Sequence, residues 1–355
     1  MKIHYLLLKN KPFVFILIIL KERASSGRKM MKKTIKRIGV MTSGGDAPGM
    51  NAALRAVVRS GLYHGLEVYG IQRGYEGLLE GSVTAMNNHS VSNIISRGGT
   101  VLLTARCKEF ETAEGVARAK AMADIFRLDA IVVIGGDGSL RGAGDLHRIG
   151  FPVIGIPATI DNDVACSDYT IGYDTAMNTV KEAIDRIKDT AYSHERCSVV
   201  EVMGRNAGYI ALNCGIAGGA EACIIPEKAF SVDEDIIKPI LSCRNAGKNH
   251  YIIINAEGVG RTIEIANEIK EKTGISTTTT ILGHQQRGGS PTVRDRVAAS
   301  LMGAKATELL ANGVYGKVIA MKGDSVIALD IEEALGMKKE IDDRLIQTGK
   351  ILSLY

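Results

Sequence analysis

Five apolar runs in this chain each end in a loop rich in glycine and polar residues, and helical patterns lie between them. The runs are Ile38–Thr42, Ala130–Ile134, Val153–Ile156, Ser198–Met203 and Tyr251–Asn255. Helical periodicity extends over Asn51–Tyr63, Ala113–Phe126 and Tyr173–Ile187. Strands that alternate with helices predict parallel sheets in an α/β fold. Such sheets bind ligands at the carboxyl ends of their strands, where these loops would gather.

The length and composition limit the class of protein. At about 150 residues per domain, a chain of 355 residues predicts two domains. Apolar residues make up 45% and charged residues 23%, which excludes a disordered chain, a collagen-like repeat and a polytopic membrane protein. The 40 glycines follow no fixed period, which indicates many tight loops or close approaches of backbone to a ligand.

The net charge of +5 comes from the first 33 residues, which carry nine basic side chains and one acidic one. The rest of the chain has 35 basic and 38 acidic residues, so its charge gives no reason to expect nucleic-acid binding. The apolar run Phe13–Leu20 is far shorter than the ~20 residues of a membrane-spanning helix. We interpret the leader as an over-long translation start. A membrane-surface tether and an export signal are the alternatives.

The six cysteines form no CxxC pair and match no zinc-binding spacing. We therefore expect free thiols in a reducing cytoplasm. We also expect no membrane partner. The cysteines are Cys107, Cys166, Cys197, Cys214, Cys223 and Cys243.

Two glycine loops, Ser43–Gly49 and Gly135–Ser139, are candidates to bind phosphate through backbone N–H groups and a following helix N-terminus. Neither is a Walker A or GxGxxG motif. Acidic residues within or near such loops need a cation beside phosphate, and Asp137 is the best candidate to hold Mg²⁺. A turn or helix cap is the alternative role for it.

Asp161 and Asp163 share a third loop, and we expect different roles for them, one accepting a proton from an attacking hydroxyl. Cationic side chains in polar, glycine-rich segments favour a phosphorylated substrate. They are Arg106, Arg196, Arg205, His284 and Arg287. Arg55 and Arg59 share one helical face, for which a solvated surface is the simpler interpretation.

Five motifs in this order and spacing identify a family. They are GGDAPGMNA at Gly44–Ala52, IGGDGS at Ile134–Ser139, TIDND at Thr159–Asp163, VVEVMGR at Val199–Arg205 and GHQQRGGSP at Gly283–Pro291. With them, the chain from Thr34 to Tyr355 resembles the bacterial ATP-dependent 6-phosphofructokinases. The resemblance implies two Rossmann-like domains with mainly parallel sheets and an active site in the cleft between them. It also implies a reaction in which MgATP and fructose 6-phosphate give ADP and fructose 1,6-bisphosphate.

Carried over residue by residue, the resemblance assigns roles to matching positions. ATP would contact Gly45, Arg106, Cys107, Gly136, Asp137, Gly138 and Ser139, with Asp137 holding Mg²⁺. Asp161 would be the general base, supported by Thr159 and Asp163, and Arg205 would stabilise the transition state. The sugar would contact Met203, Gly204 and Glu257, and its 6-phosphate would contact His284, Arg287 and Arg196. Arg196 would come from a neighbouring subunit of a homotetramer.

The resemblance also implies a division into domains and an effector site. Residues 1–33 would be the leader, 34–172 with 286–335 the ATP-binding domain, and 173–285 with 336–355 the sugar-phosphate-binding domain. The effector site would contain Arg55, Arg59, Lys188, Glu221, Lys248 and His250. Gly138 favours ATP, because pyrophosphate-dependent relatives typically carry Asp there.

Departures from the family pattern leave alternatives open. Thr278 stands where the family usually has an Arg that binds the 6-phosphate across a subunit interface. Loss of one charge-assisted contact costs about 1.5–3 kcal/mol, on the order of 10- to 100-fold in binding. Ala158 replaces the usual Gly, and the basic effector cluster is thinned. A weakly active or non-catalytic regulatory paralogue, or a kinase for another sugar phosphate, is therefore the alternative interpretation.

Overall fold

The computed structural model describes residues 34–353, and the predicted leader lies outside the described residues. From Ile35 onward the chain forms one compact unit. Two sheets organise it, one of seven strands and one of four.

The seven-stranded sheet has the order β11-β10-β5-β4-β1-β2-β3. All neighbours pair in parallel except β2 with β3 and β10 with β11. Its strands are β1 (Arg37–Ser43), β2 (Glu67–Ile71), β3 (Val83–Met86), β4 (Ala130–Gly135), β5 (Val153–Pro157), β10 (Lys317–Lys322) and β11 (Ser325–Asp330). After β1 the chain moves to β2 on one side and later to β4 on the other. The order therefore reverses at β1, where open α/β sheets form a ligand-binding crevice.

The four-stranded sheet is entirely parallel and has the order β7-β8-β6-β9. Its strands are β6 (Cys197–Val202), β7 (Ala222–Ile224), β8 (Tyr251–Ala256) and β9 (Thr277–Ile281). The loops that follow β8, β6 and β9 are neighbours at its carboxyl edge. This edge is the second place where the topology predicts a ligand.

The described region contains eleven α-helices. They are α1 (Met50–Tyr63), α2 (Gly74–Glu80), α3 (Ala113–Ile125), α4 (Asp137–Arg148), α5 (Tyr173–Ser193), α6 (Tyr209–Gly218), α7 (Lys238–Asn245), α8 (Thr262–Thr273), α9 (Val293–Ala311), α10 (Ile331–Gly336) and α11 (Asp343–Leu352). Two 3₁₀ turns cover Glu109–Glu111 and Gly283–Arg287, and a π-helical segment covers Val232–Ile237.

The five predicted strands are all present, and no end differs from its prediction by more than one residue. The third predicted helix continues to Ser193 rather than ending at Ile187. In that extension Ala191 alone is buried, so the hydrophobic period that predicts a helix is lost there. The strands not predicted are short or lie at or next to a sheet edge, where partial exposure weakens the apolar pattern.

The chain passes between the sheets twice, once after β5 and once after β9. The first sheet draws its strands from residues 37–157 and 317–330, and the second from residues 197–281. A continuous apolar core includes residues from both sheets, such as Ile134, Ile156 and Ile254. The boundaries expected at 172, 285 and 335 stay predictions. No helix among residues 34–353 is both long and apolar enough to cross a bilayer.

Candidate active site

Three loops of the first sheet meet where its strand order reverses. Glycine allows this close approach, because a Cβ at Gly135 would lie 2.5 Å from the Ser43 carbonyl oxygen. A Cβ at Gly44 would lie 3.0 Å from Ser139 Oγ, and one at Gly136 would lie 3.5 Å from Thr159 Cβ. The loops that follow β1, β4 and β5 therefore form one surface, as the sequence predicts.

Asp137 opens helix α4, and its carboxylate is partly exposed. Its Oδ2 lies 2.7 Å from Nε of Arg141, one turn later in the same helix. Next to it, a Cβ at Gly138 would meet no atom within 4 Å. This helix N-terminus thus presents a carboxylate and an open space to solvent. An anion and a cation can both be accommodated there.

The Asp161 carboxyl group is buried, and its Oδ1 atom has no hydrogen-bond partner in the part of the chain that the structure describes. Its backbone N–H donates to Thr159 Oγ1 at 3.2 Å. Burial, followed by the nearby Asp163 charge, raises the pKa of Asp161, whereas Arg287 and Arg205 act to lower it. An unpartnered carboxylate oxygen with a raised pKa, near enough to two arginines to be affected by their charges, has the properties of a general base beside an anionic substrate.

The loop that follows β6 presents Arg205 to solvent. Gly204 has φ 142° and Arg205 has φ 53°, so the backbone turns through conformations that favour glycine. The Glu257 Oε1 atom stabilises this turn by accepting hydrogen bonds from the N–H groups of Gly204 (3.3 Å) and Arg205 (2.6 Å). Met203 donates its N–H to Gln286 Oε1 at 3.0 Å. These contacts join the loops that follow β6, β8 and β9.

Arg287 links the two sheets. It ends the 3₁₀ turn after β9, and its Nη1 donates to the Asp46 carbonyl oxygen at 3.2 Å. The same nitrogen would lie 2.7 Å from a Cβ at Gly45. The guanidinium thus reaches from the second sheet to the first glycine loop, and His284 is exposed in the same turn.

Arg106 and Cys107 are predicted to contact ATP. Both follow closely after a residue that is bonded to the first glycine loop. Thr104, just before them, donates its hydroxyl to the Gly44 carbonyl oxygen at 2.6 Å. Arg106 is exposed and Cys107 is half-buried.

Arg196 and Thr278 lie at the opposite end of the second sheet from Arg205. Arg196 precedes β6, whereas Met203 to Arg205 follow it, and the strand between them spans about 20 Å. Thr278 is paired with Ser198 at the amino-terminal end of β6. Its Oγ1 lies 3.2 Å from Ser198 Oγ. Within one chain, therefore, the structure does not bring these two predicted substrate contacts to the site.

The six predicted effector residues divide into two groups. Glu221 is buried and forms an ion pair with Lys248, and its Oε2 accepts the Ile252 N–H at 2.6 Å. Burial lowers the pKa of His250, and the neighbouring charges of Lys248 and Lys188 lower it further. The other group, Arg55 and Arg59, lies on α1, which packs on α9 and the first sheet. Among residues 34–353, no hydrogen bond or ion pair joins the two groups.

The sequence analysis did not single out Gln286, Asp295 and Lys339. Gln286 is fully buried in a motif already recognised, so the motif itself was the available signal. Asp295 is also fully buried and accepts hydrogen bonds from Tyr169 Oη, from the N–H of Gly172 (2.7 Å) and from the N–H of Thr175 (2.9 Å). It thereby fixes the segment after the Asp161 loop to the N-termini of α5 and α9. No local pattern signals Asp295 or Lys339, because their partners are distant in sequence.

Comparisons with known proteins agree with this geometry. A family model described as Phosphofructokinase matches residues 37–310. A protein of Clostridium botulinum named ATP-dependent 6-phosphofructokinase is 54% identical over 319 residues, covering 90% of this chain and 100% of the relative. A protein of the same name from Clostridioides difficile is 53% identical over 320 residues, with the same coverage.

Solved structures show the same fold. Phosphofructokinase from Saccharomyces cerevisiae superimposes with a TM-score of 0.80 at 35% identity. The match covers 90% of this chain and 48% of the yeast chain, so this protein spans about half the yeast chain's length. A pyrophosphate-dependent phosphofructokinase from Marinobacter aquaeolei gives a TM-score of 0.78 at 19% identity, which concerns the fold alone. The five motifs, the two sheets and the extent of these matches lead to one conclusion: the chain belongs to the phosphofructokinase family.

Proposed function

We propose that this protein transfers the γ-phosphoryl group of MgATP to the 1-hydroxyl of fructose 6-phosphate, giving fructose 1,6-bisphosphate and ADP. The reaction is the committed step of glycolysis, and its proposed compartment is the cytoplasm. The observation that carries the proposal is the buried Oδ1 of Asp161, which has no partner among residues 34–353 and is affected by the charges of Arg205 and Arg287. The names of the similar Clostridium proteins support the same activity.

The first sheet supplies the nucleotide site. Gly45 and the loop from Gly136 to Ser139 offer backbone to the phosphates, with Arg106 and Cys107 beside them. The open space over Gly138 supports this assignment, because no protein side chain competes for it. The N-terminus of α4 adds a favourable field for an anion.

Asp137 is the proposed Mg²⁺ ligand, and the residues present fit the ion. Among residues 34–353, no three His, Cys, Asp or Glu side chains gather into a metal site. Mg²⁺ is commonly held by one or two carboxylates together with phosphate oxygens, so a single exposed carboxylate at the phosphate site is sufficient. When bound, the ion neutralises charge on the phosphates.

Asp161 acts as the general base on the sugar 1-hydroxyl, and Thr159 and Asp163 support the transferring group. Arg205, exposed on its constrained turn, stabilises the charge that develops on the phosphoryl oxygens. Glu257 holds that turn through two backbone hydrogen bonds. Phosphoryl transfer depends mainly on positioning and charge, which this arrangement supplies.

The sugar lies against Met203, Gly204 and Glu257, with His284 and Arg287 toward its 6-phosphate. Arg196 and Thr278 are about one strand length from Arg205 in their own chain, so they can serve only another chain's site. This separation supports an assembly in which neighbouring subunits complete each other's sugar site, and the family resemblance is the basis for proposing a homotetramer. An anionic effector would likewise be bound between subunits. Arg55 and Arg59 on α1 of one subunit would act with the other predicted effector residues of its neighbour, which are Lys188, Glu221, Lys248 and His250.

The experiment is an identification of products. The full chain is incubated with fructose 6-phosphate and either MgATP or magnesium pyrophosphate, and sugar products are separated by mass spectrometry. We expect a bisphosphate from MgATP alone, together with equimolar ADP. Turnover with pyrophosphate but not ATP, or no sugar bisphosphate from either donor, would contradict the proposal. Parallel reactions with sedoheptulose 7-phosphate and tagatose 6-phosphate test the choice of sugar.

A further inference from the structure

Lys339 is half-buried, and its ammonium group contacts the loop that carries Asp161 and Asp163. Its Nζ donates to the carbonyl oxygens of Asn162 at 2.7 Å and Ser167 at 2.8 Å. The same nitrogen lies 5.0 Å from the centre of the Tyr209 ring, within the range of a cation–π contact. The ammonium therefore joins two points of the loop and rests on α6 of the second sheet.

The loop needs such a support because of its backbone. Asn162, between the two aspartates, has φ 53° although it is not a glycine. Asparagine tolerates this region better than most residues, and the turn persists because the surrounding contacts hold it. The Asn162 side chain is also held, since its Nδ2 donates to the Asp168 carbonyl oxygen at 3.3 Å. Lys339 holds the backbone carbonyl of Asn162, which belongs to the peptide bond that leads directly into Asp163.

The charge of Lys339 also acts on the site. Burial lowers the pKa of Lys339 to about 8, whereas the charges of Asp168 and Asp163 act to raise it. In turn, the ammonium acts to lower the pKa of Asp163, against the effect of burial. Lys322 forms an ion pair with Asp168 at 2.7 Å, so it does not replace Lys339 at the two carbonyls. Lys339 thus supplies both the donor and a neighbouring positive charge.

Lys339 lies between two helices that pack on different parts of the fold. It follows α10, which packs on the first sheet, and precedes α11, which packs against α6 of the second sheet. The lysine is 177 residues from Asn162 in sequence. The segment that carries the ammonium is therefore fixed at both ends by different parts of the fold.

We propose that Lys339 is a positioning residue for phosphoryl transfer, which holds the Asp161–Asp163 loop by bridging the carbonyl oxygens of Asn162 and Ser167. The inference rests on the proposed function. It adds the segment after α10 to the structure that supports catalysis. Because the ammonium contacts the loop backbone and not the predicted sugar contacts, its loss acts on turnover more than on substrate binding.

The test compares three variants of the full chain with the wild type: Lys339→Met, Lys339→Arg and Lys338→Met. For each we measure kcat and the concentration of each substrate that gives half-maximal rate. Lys338 is the matched control, because it is the adjacent lysine and is exposed. A loop misplaced by about 1 Å loses on the order of 100-fold in rate, so we expect K339M to lower kcat by about 10- to 100-fold. Half-saturation should stay within about threefold, since an interaction made only in the transition state changes kcat and not binding. K339R should recover most of kcat, and K338M should match the wild type.

Each other outcome would overturn the proposal. K339M with wild-type kcat would show that the loop does not need the ammonium. A raised half-saturation at unchanged kcat would indicate a substrate contact instead. If K339M does not fold, Lys339→Gln takes its place, and a failure of both to fold would assign Lys339 to stability alone. Wild-type protein without turnover would overturn the proposed function itself, whereas active wild type with active K339M overturns only this inference.

Discussion

An acidic side chain at position 138, where the chain has Gly138, should weaken the binding of the nucleotide. A Cβ there would meet no atom within 4 Å, so the protein itself leaves room for a side chain. Gly138→Asp would place a second carboxylate beside Asp137 in the first turn of α4. An acidic group is favourable at a helix N-terminus by about 0.3–1 kcal/mol, so folding should tolerate the change. The cost should appear only when a phosphate approaches.

The magnitude follows from the charges. Two like charges about 5 Å apart repel by about 3 kcal/mol at an effective dielectric constant of about 20. Gly138 is exposed, and solvent and salt reduce this to roughly 1–2 kcal/mol. We therefore expect G138D to bind ATP about 5- to 30-fold more weakly than the wild type. The difference should shrink as ionic strength rises.

The assay is half-saturation for MgATP at two salt concentrations, with Gly138→Asn as the control. Asn has nearly the shape of Asp but no charge, so G138N separates charge from size. We expect G138N to stay close to the wild type and G138D to be impaired. Equal affinities for G138D and G138N, or equal impairment of both, would refute the electrostatic explanation.

Three further predictions concern the sugar site, the base and the scaffold. Thr278→Arg should lower half-saturation for fructose 6-phosphate by up to about 10- to 100-fold, because it restores a charge-assisted contact worth about 1.5–3 kcal/mol. In Asp163→Asn, the fall of kcat/KM on the acidic side of its pH profile should occur at lower pH than in the wild type. The neighbouring carboxylate raises the pKa of Asp161, and the base works only when ionised, so activity is lost as pH falls through that pKa. Asp295→Asn should lower the free energy of unfolding by about 1–3 kcal/mol, measured by urea denaturation, because one acceptor for the N–H and hydroxyl of Thr175 is lost.

Each of these predictions has a contradicting result. Unchanged use of fructose 6-phosphate by T278R would show that the missing arginine explains nothing about this chain. A fall of kcat/KM at the same pH or at higher pH in D163N would contradict the coupling of the two carboxyl groups. A urea midpoint equal to that of the wild type for D295N would show that Asp295 does not hold the three segments together.

The central strands and the loops that follow them were predictable because their signal is local. The run Ala130–Ile134 is apolar on both faces, and the glycines after it mark the turn into α4. Motifs then identified Asp137, Asp161 and Arg205, and the structure brings the loops of these residues to neighbouring sheet edges. Edge strands such as β9 were not predicted, because no residue of β9 is fully buried and its sequence carries little apolar pattern.

The contacts that support the site could not be predicted from the sequence. Lys339 reaches Asn162 across 177 positions, and Asp295 reaches Thr175 across 120. Nothing in the local sequence of either residue distinguishes a buried, bonded side chain from a solvated one. Arg196 gives the reverse case: its residue type and neighbourhood suit a phosphate ligand, whereas its position before β6 places it about one strand length from Arg205 in its own chain, as the resemblance to a family with shared sites implies.

The measurement that tests the proposed function most directly is sugar-dependent ADP release by the wild type and by Asp161→Asn. With fructose 6-phosphate and MgATP, the wild type should show saturable turnover. Loss of a general base reduces rate by about 100- to 10,000-fold, and D161N should do so with little change in half-saturation. Wild-type protein that releases no ADP in response to the sugar, or D161N that turns over as fast as the wild type, would contradict the assignment of Asp161 and of the reaction.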